Sequence, residues 1–153
     1  MARKVKYDFK PFSGRTMTKA AKGRARKEIK QFITTTVKAD LAKGQSSVTG
    51  RRMPSLNKEY AKAQKGGNRT PNLKLEGDYQ ASFRVKKSPQ GTNWMRFTTL
   101  QGQQPKADGH NNFTGKSKLP KRQSFPNRGN GEKFRAGIER GIEQIVKKHS
   151  KGE

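Results

Sequence analysis

Residues 18–43, TKAAKGRARKEIKQFITTTVKADLAK, decide the fold. Their apolar members Ala21, Ala25, Ile29, Phe32, Ile33, Val37 and Leu41 recur at spacings of three and four. Lys19, Lys22, Arg26, Lys27, Lys30 and Lys38 fall mostly between them, so the pattern predicts a long amphipathic helix with a basic outer face. Thr16 or Thr18 can supply the N-cap oxygen, and Gly44 stands where a left-handed residue closes a helix. The run Thr34 to Thr36 lowers helix propensity, so the second half of this helix is expected to need tertiary support.

A second stripe closes the chain. Phe134, Ile138, Ile142, Ile145 and Val146 share one helical face, with Asn130 as a candidate N-cap and Glu132 placed to favour the helix dipole. Gly137 and Gly141 lie beside that stripe, and each costs about 1 kcal/mol relative to Ala. Either a neighbouring backbone approaches closely there or the helix is simply weak. The expected two-helix core is Phe32, Ile33, Phe134, Ile138 and Ile142.

Between and before the helices the period drops to two. Val5, Tyr7 and Phe9 alternate with Lys6, Asp8 and Lys10, the pattern of a short strand ended by Pro11 and Gly14. Phe83 and Val85 alternate with Arg84 and Lys86. After a turn at residues 88–91, Trp94, Arg96 and Thr98 alternate with Met95, Phe97 and Thr99, which reads as a β-hairpin.

The sequence therefore predicts an α+β fold in which a long N-terminal amphipathic helix and a C-terminal helix pack on a small antiparallel sheet, with long basic loops. Residues 1–16 form an arm or edge strand, and residues 17–149 a single domain with loops at 45–71 and 100–127. Residues 150–153 are expected to be a disordered tail. Leu56 to Ala63 can hold one or two helical turns, and 78–82 a further short segment.

Charge dominates the composition: 36 Lys and Arg against 11 Asp and Glu leave a net +25 on 153 residues. Self-repulsion of that size opposes compaction and calls for an anionic or assembled partner. Leu, Ile, Val and Phe number 24 of 153, below the roughly 20% at which a charged chain is expected to order fully, so the folded part should be smaller than the chain.

Several function classes find no support. There is no cysteine, and His110 and His149 are far apart, so a metal site is not expected. No apolar run of about 18 residues marks a membrane span. The Gly-rich stretches lack the Lys-Ser/Thr of a phosphate loop, and no nucleophile sits beside a base, so neither a cofactor nor an enzymatic activity is expected. Trp94, Phe113 and Phe125 are too sparse for a base-stacking platform. The basic residues remain. Lys19, Lys22, Arg26, Lys27 and Lys30 on the first helix, with Lys118 and Lys121 in the long loop, are the expected contacts to nucleic acid or another anionic surface.

Three separated pieces, in order, resemble the tail-completion or neck proteins of tailed bacteriophages, the group that includes the Mu-like virion morphogenesis proteins. In the first, at residues 49–62, Gly50, Met53, Leu56, Tyr60 and Ala61 are similar to the family's Gly-x-x-(apolar/aromatic)-x-x-Leu-x-x-x-Tyr-Ala stretch. Leu73 to Ser82 resembles its Leu-x-x-(Thr)-Gly-x-Leu-x-x-Ser element, with Glu76 for Thr and Tyr79 for Leu. Leu119 to Phe125 is similar to its Pro-x-Arg-x-Phe signature, with one extra residue between Arg122 and Phe125.

The resemblance implies a small α+β unit without catalytic activity that forms a ring, of six copies, at the head-to-tail junction of the virion. Assembly would take place in the host cytoplasm. The implied partners are further copies of the chain, the head connector, tail-terminator or tail-tube proteins, and double-stranded DNA in the channel. Arg122, Phe125, Tyr60 and Tyr79 would dock subunits or neighbours. A ring about 40 Å high encloses roughly 24 DNA charges at one per ~1.7 Å, so only about four charges per subunit can be matched in its lumen. Most of the surplus is then expected to face acidic neighbours or solvent, with the N-terminal arm and residues 100–127 as docking segments. A basic RNA-binding structural protein of ribosomal type is the alternative that the same composition allows.

Overall fold

The computed structural model describes residues 6–12, 16–53, 62–63, 81–100, 111, 123–126 and 131–151. The elements in order are β1 (Lys6–Phe9), α1 (Lys19–Ala42), β2 (Phe83–Lys87), β3 (Met95–Thr99) and α2 (Ala136–Lys151). Three strands form an antiparallel sheet of order β1-β3-β2, against which the two helices pack. The expected α+β arrangement is the observed one.

Both ends of α1 follow from local chemistry. Thr18 is the N-cap, its hydroxyl accepting from the Ala21 amide at 3.1 Å. Beyond Lys43, Gly44 adopts φ +71, which residues with a Cβ rarely take, and its amide donates to Leu41 O. The apolar stripe Ala21, Ala25, Ile29, Ile33, Val37 and Leu41 is buried throughout.

The sheet presents one apolar face to the helices. Tyr7, Phe97 and Val85 are cross-strand partners in one row, and Phe9, Met95, Phe83 and Phe97 share their face through the period of two. Phe97 is the hub of an aromatic core. It stacks on Phe125 at 4.3 Å, meets Phe83 edge-on at 5.6 Å and lies 5.5 Å from Phe134. Most large apolar side chains among the described residues thus join a single cluster, where ring pairs add to simple burial.

All five residues of β3 are buried, although Arg96 and Thr98 lie on the face opposite Met95 and Phe97. Arg96 is buried there as part of an ion pair. Arg96 donates from Nε and Nη2 to the two carboxylate oxygens of its cross-strand partner Asp8, at 2.7 and 3.2 Å, and Ser88 Oγ adds a third bond at 3.0 Å. Burial alone would raise the Asp8 pKa, but these hydrogen bonds and the guanidinium charge outweigh it and hold the carboxyl below its ordinary value.

A second carboxylate organises the far end. Asp40 in the last turn of α1 accepts two bonds from Arg135, at 2.9 and 3.0 Å, and one from Ser47 Oγ at 2.8 Å. The Arg135 amide in turn donates to Ser47 O at 2.7 Å. Residues 45–53, read from sequence as open loop, are therefore a compact turn closed by a Gln45–Arg52 bridge, with Ser46, Ser47 and Met53 buried.

Several expectations are corrected. The Asn130 cap lies outside the described residues, and Glu132 accepts a hydrogen bond from Gln123 Nε2 at 2.6 Å. It is Glu139, in the first turn of α2, that accepts from the Phe134 amide at 3.1 Å, and burial raises its pKa. Gly141 admits a phenyl ring, that of Phe32, and not a backbone, while a Cβ on Gly137 would meet the Arg135 guanidinium. The expected tail at residue 150 is helical to Lys151, because Lys148 and His149 pair with Glu28 of α1 and Ser150 Oγ bonds to Val146 O.

Candidate functional site

The N-terminal half of α1 carries Lys19, Lys22, Arg24, Arg26, Lys27 and Lys30, and its first turn has no acidic residue. Cations at a helix N-terminus oppose the macrodipole, each by about 0.3–1 kcal/mol. This charge pattern therefore weakens the helix that bears it.

Its spatial consequence is a groove of about 490 Å³ between α1 and β2. Lys19, Arg26, Lys27 and Lys30 line it from the helix, and Lys86 and Lys87 from the strand. Among the described residues, no carboxylate lines it. Gly23 forms part of the wall, and a Cβ built there would meet nothing within 4 Å, so the missing side chain leaves open space. A larger groove of about 550 Å³ lies between α1 and α2, but its two charges, Glu28 and Lys148, are paired at 2.7 Å. It has no comparable positive field.

The cations of the basic groove are not alike. Lys19, Lys27, Lys30, Lys86 and Lys87 are exposed. Arg26 is held in place: its Nη2 donates to Thr92 O and its guanidinium lies 5.2 Å over the Phe12 ring. Its Nε is buried and makes no hydrogen bond. The turn between β2 and β3 is fastened to the same wall by Lys22 Nζ, which donates to Asn93 Oδ1 at 3.1 Å. Lys10 lies 4.6 Å over the Trp94 ring, fixing the turn from its other side.

Of the residues expected to meet an anionic surface, Lys19, Arg26, Lys27 and Lys30 come together in the groove, and Lys22 is engaged beside it. Lys118 and Lys121 lie outside the described residues, as do Arg122, Tyr60 and Tyr79 of the expected docking set. Phe125 does not serve docking as expected. Its side chain is fully buried against Phe97 and Phe83, and its amide is held by Asn111 Oδ1 at 2.8 Å. Gln123 and Ser124 are likewise buried, with Ser46 Oγ donating to Gln123 O at 2.7 Å, so this stretch of the long loop belongs to the chain's own core.

Lys86 and Lys87 were missed. The signal was present as two consecutive lysines ending a strand, but only the packing of α1 beside β2 brings that strand end to the rim of the groove.

Among the described residues, no group of three or more His, Asp or Glu could hold a metal ion, and no helix is long and apolar enough to cross a membrane. No protein-family model, no curated protein and no solved structure matches this chain.

Proposed function

We propose that this chain is a structural subunit of the head-to-tail junction of a tailed bacteriophage, engaging an anionic partner through the groove between α1 and β2. The observation that carries the reading is the order of elements. A long N-terminal helix, an antiparallel sheet and a closing helix surround one core, which is the arrangement that the resemblance of residues 49–62, 73–82 and 119–125 implies. The groove supports it further, since an all-cationic cleft that costs its helix stability is explained by a partner and not by folding.

Ring formation with neighbours, and contact with the head connector and the tail, belong to the same proposal. Inactivating the coding sequence in the genome that carries it tests the reading. The expected result is filled heads and separate tails, which join when the purified protein is added back. Particles that join without the chain, or an absence of any phage particle, overturn it.

A further inference from the structure

We infer that the α1–β2 groove seats one phosphodiester strand of a double-stranded nucleic acid, without regard to base sequence. The inference names the partner of the groove and rests on the anionic-surface part of the reading above, not on the junction itself.

Charge and length agree with this partner. From Lys19 to Lys30 the helix rises roughly 16 Å at about 1.5 Å per residue. One strand of a duplex presents a charge every ~3.4 Å of axis, so several phosphates come within reach of a wall of that length. Six cations face them: Lys19, Arg26, Lys27 and Lys30 on α1, Lys86 and Lys87 on β2. Five are exposed ammonium groups on long stems, which adapt to a backbone of any sequence, while Arg26 is fixed by Thr92 and Phe12.

Two competing partners fit less well. Single strands are held largely by stacking of bases on aromatic side chains. Among the described residues, no aromatic side chain lines the groove, and the nearby rings of Phe12 and Trp94 each have a cation over one face, Arg26 and Lys10. An acidic protein segment needs apolar area to bury at the centre of its contact. The apolar side chains in the lining, Val85 and Met95, are 2% and 1% exposed and already belong to the core.

Fluorescence anisotropy with a labelled 30-base-pair DNA duplex, read across a series of salt concentrations, tests this. Two triple variants of the full chain with equal charge are compared. One is K27Q/K30Q/K86Q in the groove and the other K38Q/K43Q/K147Q elsewhere, all at exposed positions. With a loss of about 0.9 in the log–log slope per phosphate contact, the groove triple should flatten the salt dependence by about 2.7 and weaken binding on the order of 10²-fold at 0.1 M salt. The control triple should change both by less than a third as much. A single-stranded 30-mer and polyglutamate are the other arms, and each should bind more weakly than the duplex. The inference is overturned by absent duplex binding, by equal losses in the two triples, or by tighter binding of the single strand or polyglutamate. Such a result, found together with head–tail joining that still requires the chain, would leave the junction reading standing.

Discussion

The ring of Phe32 on α1 occupies the space that a side chain at residue 141 of α2 would need: a Cβ on Gly141 would sit 2.2 Å from Phe32 Cζ. The glycine lets the two helices close over an aromatic side chain. Gly141→Ala gains about 1 kcal/mol of helix propensity but must expel the ring, and overpacking costs about 1–3 kcal/mol. A net loss of about 1 kcal/mol in urea unfolding is expected. In a Phe32→Leu background the same change should become neutral or stabilising, and equal losses in both backgrounds would exclude the contact as its cause.

Asp8 and Arg96 join β1 to β3 from a buried face, at 8% and 6% exposure. Asp8→Ala leaves the guanidinium buried without its partner and is expected to cost about 3–5 kcal/mol. The pH dependence has a definite sign. The folded-state pKa of Asp8 is depressed below 3.8, so its contribution is complete above that value and disappears as pH falls through the lower folded value. Acid titration of stability in the parent and in Asp8→Ala should differ by a step confined to that acid range.

Glu139 has the opposite sign. Burial raises its folded pKa above 4.5, so the folded chain binds the proton more tightly than the unfolded one and loses stability as pH rises from 4.5 through the raised value. Glu139→Gln keeps an oxygen for the Phe134 amide and removes the charge. Stability of this variant should be flat across that interval and higher than the parent above it, as thermal melts at successive pH values would show.

Gly23 interrupts α1 with nothing packed against it. Gly23→Ala should therefore stabilise the fold by about 1 kcal/mol, raising the melting temperature by roughly 4 °C. A fall in melting temperature would mean that the groove wall is closed there.

Both helices were readable because their stripes of Ala, Ile and Val repeat every three or four residues over at least three turns. The hairpin was readable from its two alternating runs. What escaped the sequence was every contact made by a polar side chain over a long separation. Asp40 draws Ser47 and Arg135 together across 95 positions, and no periodicity marks an aspartate for that role. Phe125 resembled a docking residue because it stands in a polar, Pro-flanked loop, yet stacking on Phe97 gives it more burial than any partner could add. The basic groove was half legible. Its helical wall lies in one run of sequence, but its strand wall depends on how the sheet and helix meet.

The order β1-β3-β2 means that the first strand pairs with the last, and neither edge strand touches the other. During synthesis, Lys6 to Phe9 leave the ribosome some ninety residues before Met95 to Thr99, the strand with which they pair. At the usual pace of translation this opening stretch waits several seconds without a mate. Lys6 within the strand and Lys10 just after it are charges of the kind that discourage an unpaired strand from joining a wrong neighbour. Part of the excess positive charge thus guards the chain before it is whole.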